Sequence, residues 1–231
     1  MNLVTFSGPP SSGKTAVILK TIEAIQQRDL KVGVVKFDCL YTNDDEVYRK
    51  AGVPVKKGLS GSLCPDHYFV SNIEEVVQWG REKELDLLIT ESAGLCNRCS
   101  PYIKDIKAIC VIDNLSGINT PKKIGPMLKT ADIVVITKGD IVSQAEREVF
   151  ASRVSNVNPD AMVMNVNGLT GQGAYEFSTL LYDEKDHIET VTGKKLRFSM
   201  PSAMCSYCLG ETRIGKEHQL GNVRKIELGD E

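Results

Sequence analysis

Gly8-Pro9-Pro10-Ser11-Ser12-Gly13-Lys14-Thr15 follows the apolar run Leu3-Val4-Thr5-Phe6-Ser7 and leads into Ala16-Val17-Ile18-Leu19-Lys20. A strand, a glycine-containing turn of the form Gly-x-x-x-x-Gly-Lys-Thr and a helix, in that order, make a P-loop. The order has a physical reason. Successive backbone N–H groups and the helix N-terminus form a concave anion site that holds phosphates. Gly8, Ser11, Ser12 and Gly13 build that loop, Lys14 is placed to reach the β- and γ-phosphates, and the Thr15 hydroxyl is placed to ligate Mg²⁺.

Outward from this loop, short apolar runs alternate with longer helical stretches. Strands are expected over 3–7, 32–37, 85–91, 108–113, 132–137 and 161–166, and helices over 14–27, 71–83, 143–155 and 172–182. The runs Ile109-Cys110-Val111-Ile112 and Ile133-Val134-Val135-Ile136 are apolar on both faces, as strands covered on both sides must be. The fold class is therefore α/β: a P-loop nucleoside-triphosphatase fold with a mostly parallel central sheet flanked by helices. Residues 1–186 are expected to form the nucleotide domain. Beyond them the composition shifts, and 187–231 read as a small cysteine-containing appendage with a possible strand at 194–198. No internal repeat is present.

Composition narrows the function classes. The 231 residues carry 28 Lys+Arg against 30 Asp+Glu, a net charge of −2, which gives no support to nucleic-acid binding through bulk positive charge. No apolar run approaches the ~20 residues of a membrane-spanning helix. The first residues read as a strand rather than a signal peptide, so a cytoplasmic location is expected. Seven cysteines, at 39, 64, 96, 99, 110, 205 and 208, include two Cys-x-x-Cys pairs. In a reducing compartment such pairs point to metal or redox chemistry, and an odd count argues against a complete disulfide framework.

Thr137-Lys138-Gly139-Asp140 follows a buried run and resembles the Asn/Thr-Lys-x-Asp guanine motif. A carboxylate at Asp140 accepts from both N1–H and the exocyclic amine of guanine, groups that adenine does not offer on that edge. Lys138 lays its aliphatic stem along the base. Asn167-Gly168-Leu169-Thr170-Gly171-Gln172-Gly173 is a candidate to close the base pocket. Asp38 and Glu91 each end a predicted strand on the P-loop side, where ligands of parallel sheets bind, and are expected to organise Mg²⁺ and the attacking water. Lys14 and Asp38 are the candidate catalytic residues. Glu91-Ser92-Ala93-Gly94 reads as the acidic-x-x-Gly turn that senses a γ-phosphate.

Together, Gly8–Thr15, Asp38, Glu91-Ser92-Ala93-Gly94 and Thr137-Lys138-Gly139-Asp140 resemble the metal-chaperone GTPases of hydrogenase and urease maturation, the HypB/UreG group. More specific still are Tyr41-Thr42-Asn43-Asp44-Asp45-Glu46, Ala51-Gly52-Val53 and Gly61-Ser62-Leu63-Cys64-Pro65-Asp66-His67, which resemble that family's switch segment and Cys-Pro-His or Cys-His metal site. The resemblance spans about residues 1–185. It implies GTP hydrolysis with Mg²⁺, a nucleotide-dependent homodimer, binding of nickel or another transition metal by Cys64 and His67, and a client metalloenzyme or other maturation proteins as partners. Three features depart from the family: Asp66 stands between Pro65 and His67, no His-rich segment precedes the first strand, and the Cys205/Cys208 tail has no counterpart.

Two groupings of the cysteines stand open. Cys96 and Cys99, just past the Glu91–Gly94 turn, make a four-sulfur set with Cys205 and Cys208 for Zn²⁺ or an iron–sulfur cluster. Alternatively Cys64, His67, Cys96 and Cys99 form a transfer site across a dimer. Cys110, inside an apolar run, is assigned to the core; Cys39 is unassigned, and His187 and His218 are read as surface residues. The leading function is a GTPase that gates metal insertion into a partner enzyme. The alternatives are a P-loop kinase or ligase for a small molecule, and a nucleotide-binding iron–sulfur or redox sensor.

Overall fold

Seven strands form one all-parallel sheet in the order β3-β2-β4-β1-β5-β6-β7 in the computed structural model, which describes residues 1–201 and 209–228. The strands are β1 (Asn2–Ser7), β2 (Val32–Asp38), β3 (Val55–Leu59), β4 (Leu87–Ser92), β5 (Lys107–Asp113), β6 (Ile133–Thr137) and β7 (Met162–Asn165). The principal helices are α1 (Lys14–Gln26), α2 (Asp44–Lys50) and α3 (Pro65–Glu82), then the single turns α4 (Thr120–Lys123) and α5 (Pro126–Lys129), then α6 (Gln144–Val157) and α7 (Ala174–Thr179).

The period-2 geometry of strands divides each apolar run between two cores. Val4, Phe6, Val34, Leu87, Ile89, Ile109, Val111, Ile133 and Val135 face α1 and α7. On the opposite face, Leu3, Val35, Phe37 and Leu88 pack with α3, while Ala108, Cys110, Ile112, Val134 and Ile136 pack with α4, α5 and α6. Cys110 is fully buried there, and burial pushes its thiol up to about 12, so it is an inert core residue as expected.

Besides the unexpected turns α4 and α5, three elements near the site differ from expectation. β3 was not predicted: Val55-Lys56-Lys57-Gly58-Leu59 has only two large apolar residues, because it is an edge strand and edges carry lysines. The seven-residue α2 begins Asp44-Asp45-Glu46 and ends Arg49-Lys50, a charge order that suits the helix dipole where the run is too short for hydrophobic periodicity. α3 starts at Pro65, six residues before the expected 71. Proline at the first helical position loses no intrahelical bond and brings its own φ.

The 194–198 segment is not a strand; it makes only the isolated bridges Ile103↔Leu196 and Lys195↔Arg213. The tail has no core of its own among the described residues. Val191, Leu196, Met200, Ile214 and Ile226 enter the cluster formed by α3 and β2. Arg197 fastens the tail to the sheet. Its guanidinium pairs with both oxygens of Asp132 at 2.7 and 2.6 Å and donates to the carbonyls of Ile103, Thr130 and Ile106. Arg197→Ala is expected to lower stability by about 2 kcal/mol, the ion pair being partly solvated, while Arg197→Lys loses most of the same amount because a point charge cannot reproduce the fork. Urea unfolding followed by far-UV circular dichroism measures both. Among the described residues no helix is long and apolar enough to cross a membrane.

Candidate functional site

The loop after β1 is held by close backbone approaches. Gly8 has φ +141°, and a Cβ there would fall 2.0 Å from the Val111 carbonyl oxygen; a Cβ on Gly94 would fall 1.7 Å from the Gly8 carbonyl oxygen. The turn after β4 thus rests directly on the phosphate loop. Lys14 reaches across the same contact. Its ammonium donates to the Gly8 and Pro9 carbonyls, each at 2.9 Å, and to the Ala93 carbonyl at 3.4 Å. Burial pulls its pKa down to about 8.

Thr15 Oγ1 lies 3.0 Å from Glu91 Oε1 and 3.1 Å from Asp44 Oδ2. Glu91 is fully buried, and its other oxygen accepts from the Tyr48 hydroxyl at 2.7 Å. Burial, followed by the Glu91 charge, raises the Tyr48 phenol well above its ordinary value, so it stays a donor. The Lys36 ammonium sits between Asp44 and Glu91, 2.7 Å from each. Burial opposes its charge, but Glu91 and Asp44 outweigh that and hold its pKa above the usual lysine value. Asp44 is likewise held low, the pull of Lys36 exceeding the penalty of its partial burial. A threonine hydroxyl and carboxylate oxygens converging on a cation are the hard oxygen donors that Mg²⁺ requires. Asp38 borders this group: its Oδ2 is 3.8 Å from the Lys36 ammonium and its Oδ1 accepts from the Cys39 amide.

On the base side, Thr137 Oγ1 donates to the Ser12 carbonyl at 2.6 Å, and the Lys138 ammonium donates to the Ser11 carbonyl at 2.7 Å. Threonine therefore ties this turn to the phosphate loop where the commoner motif has asparagine. A cavity of about 210 Å³ opens beside them, lined among others by Gly13, Lys138, Asp140, Gly168 and Leu169. Asn167 Oδ1 accepts the Leu169 and Thr170 amides and shapes the loop that borders it.

A thiol cluster lies on the other face of β4. The ligand atoms of Cys64, Asp66 and Cys99 all lie within 4.8 Å of one another. Cys99 Sγ donates to Asp66 Oδ2 at 3.2 Å, and Ser92 Oγ donates to Asp66 Oδ1 at 2.6 Å. Proximity to the sulfurs of Cys64 and Cys96 raises the pKa of Cys99. The same proximity lowers that of Cys64, and that of Cys96 to about 6. The Asp66 carboxyl is raised by burial. Thiols converging with a buried carboxylate are a donor set that binds a metal ion by giving up protons.

His67 is the expectation that the structure corrects. Successive helical residues point about 100° apart, and because α3 begins at Pro65, Asp66 faces the sulfurs while His67 turns away. Its Nε2 lies 2.8 Å from Glu211 Oε1 in the tail, off-line for a hydrogen bond, and both groups are almost fully buried. Asp66 stands where the family pattern leads one to expect histidine. Cys205 and Cys208 lie outside the described residues. Cys39 is apart from the cluster, its thiol donating to the Gly61 carbonyl at 3.2 Å. Asp44, Lys36, Tyr48 and Ser92 were given no role from the sequence, and Asp66 was noted only as a departure from the family pattern. The signal for Asp44 and Asp66 was their presence inside motif segments; Lys36 sits in an apolar run and gave none.

The family model described as "CobW/HypB/UreG, nucleotide-binding domain" matches residues 2–165. The chain belongs to the CobW/HypB/UreG family. Within this family it is similar to an uncharacterized protein of Methanocaldococcus jannaschii, MJ0120, at 49% identity over 227 residues, covering 98% of this chain and 97% of that one. It is 32% identical over 194 residues to the urease accessory protein UreG 2 of Bradyrhizobium sp., covering 78% of this chain and 90% of the relative. Among solved structures, HypB from Helicobacter pylori in complex with nickel shares the fold, with a TM-score of 0.60 at 22% identity over 78% of this chain and 85% of that one. The family and the seven-stranded parallel sheet agree with the P-loop reading. The matched family model is that of a nucleotide-binding domain.

Proposed function

We propose that this chain is a GTPase that binds a thiophilic divalent transition ion, nickel or zinc, and gates its transfer to a client metalloenzyme in the cytoplasm. The observation that carries the reading is the pair Glu91-Ser92. Adjacent residues of β4 point to opposite faces, so Glu91 contacts the phosphate-loop Thr15 while Ser92 contacts Asp66 of the thiol cluster. A displacement of this strand end that accompanies nucleotide binding is felt at once on the metal side.

In this reading Lys14, the loop amides and the N-terminus of α1 bind the phosphates, and Lys138 and Asp140 bind guanine. Thr15, Asp44 and Glu91 hold Mg²⁺, with Asp38 at the rim orienting the attacking water. Bound Mg²⁺ supplies charge neutralisation on the β- and γ-phosphate oxygens. Cys64, Cys99 and Asp66, joined by Cys96, hold the transported ion; sulfur-rich donors with one carboxylate suit nickel or zinc. Pairing of two copies in the GTP state, expected of the family resemblance, would place two such clusters under one nucleotide control.

The test is metal affinity by competition with a chromogenic chelator, with and without a non-hydrolysable GTP analogue and Mg²⁺. An analogue-induced change of about tenfold is expected. Ser92→Ala is expected to keep both ligands bound and shrink that change to below about twofold. Equal affinity in both nucleotide states of the parent chain overturns the gating reading, and elemental analysis of anaerobically prepared protein identifies the ion.

A further inference from the structure

The buried ammonium of Lys36 belongs neither to the phosphate loop nor to the thiol cluster. It sits on β2, is 4% exposed, and contacts Asp44 Oδ2 and Glu91 Oε1, each at 2.7 Å. These are the same two oxygens that lie 3.1 and 3.0 Å from Thr15 Oγ1. One hydroxyl carries one proton and cannot serve two carboxylates at once, so the convergence is held by the ammonium. Asp44 is the first residue of α2, which otherwise meets the sheet through Tyr48 on Glu91 and Lys57 on Asp45. Asp38 Oδ2, at 3.8 Å, is a third carboxylate within reach of the same ammonium.

We propose that Lys36 is a resident counter-ion and a positioning residue of the nucleotide site. It holds the Asp44 and Glu91 oxygens on Thr15, and it yields them toward Asp38 when a magnesium nucleotide loads. This rests on the GTPase reading above. The physical reason is that two cations cannot share the same pair of oxygens at contact distance without strong repulsion. Lys36 therefore prevents free Mg²⁺ from entering before the nucleotide brings its phosphates, and it makes release of the α2 start a consequence of loading. Cation binding is ordered: nucleotide and Mg²⁺ together, not Mg²⁺ first.

The experiment uses the full chain with Lys36→Met and Lys36→Arg, and Mn²⁺ is the probe because this hard ion prefers oxygen donors to the thiols of the sulfur cluster. Mn²⁺ binding without nucleotide is followed by electron paramagnetic resonance, and the Mg²⁺ concentration for half-maximal binding of a fluorescent GTP analogue is measured in parallel. The parent is expected to bind no Mn²⁺ here without nucleotide. Lys36→Met is expected to gain one Mn²⁺ site and to need about tenfold less Mg²⁺, while Lys36→Arg stays within about threefold of the parent. If the parent binds one Mn²⁺ without nucleotide and Glu91→Gln removes it, or if Lys36→Met needs more Mg²⁺, the proposal is overturned. The parent titration decides this even where Lys36→Met does not fold. Analogue binding at saturating Mg²⁺ reports the underlying reading separately, since its absence from the parent overturns the GTPase assignment itself.

Discussion

Cys99→Ala is expected to weaken transition-metal binding by about 10²–10³-fold, the share of one ligand in a four-ligand thiolate site. Cys99 is central to the cluster: its thiol donates to Asp66 Oδ2 at 3.2 Å, and its sulfur lies within 4.8 Å of the ligand atoms of both Cys64 and Asp66. Removing it deprives the ion of the buried sulfur that stands beside both. Folding suffers much less, because one buried sulfur leaves a small void in the α3 core, costing about 1 kcal/mol. Unfolding in excess chelator isolates that term, and equilibrium competition for Ni²⁺ and Zn²⁺ measures the binding loss. Cys39→Ala is the control, since its thiol meets the Gly61 carbonyl outside the cluster. An unchanged affinity in Cys99→Ala would falsify the assignment of the cargo site to this cluster.

The frame was legible because each of its signals is local. A strand ending in Gly8 and a helix opening at Lys14 fix the phosphate loop, and the two-sided apolar runs of β5 and β6 can sit only in a covered sheet. β3 escaped because an edge strand with Lys56 and Lys57 satisfies the sheet without an apolar signature. The site divided along similar lines. Lys14, Thr15, Thr137, Lys138 and Asp140 come from contiguous motifs whose spacing carries their geometry. Lys36 and Ser92 act through alternation on strands whose neighbours are set only by the sheet order. His67 was carried over from the family's Cys-Pro-His pattern, but the extra residue Asp66 follows Pro65 at the start of α3 and takes the place at the sulfurs.

That exchange has a chemical consequence. A histidine ligand would carry a neutral donor to the ion, whereas Asp66 adds a negative oxygen that burial already drives toward protonation. The bond from Ser92 Oγ favours the charged carboxylate and competes with that drive. Ser92 is therefore placed to tune the Asp66 carboxyl from the residue next to Glu91. The contact to Thr15 and the contact to Asp66 come from successive residues of one strand, and no long relay is needed.

Asp140→Asn is expected to convert the base preference of the nucleotide site from guanine to xanthine. The parent carboxylate lines the 210 Å³ cavity beside Lys138 and Gly13 and has acceptors only. Guanine presents two donors on the facing edge; the variant loses one of these bonds, sets an amine against the guanine amine and strips the charge from the other bond, which weakens GTP by on the order of 10²–10⁴-fold. Xanthine carries a carbonyl where guanine has its amine. An asparagine offers that carbonyl an N–H donor while its own oxygen still accepts from the ring N–H, so xanthosine triphosphate gains what GTP loses. Thr137 is unaffected, because its hydroxyl bonds the Ser12 carbonyl and not the base, so the loop keeps its shape. Titration of fluorescent GTP and xanthosine analogues into parent and variant gives the ratio directly. A variant that binds GTP as the parent does, or a parent that binds ATP equally well, would mean that another group reads the base.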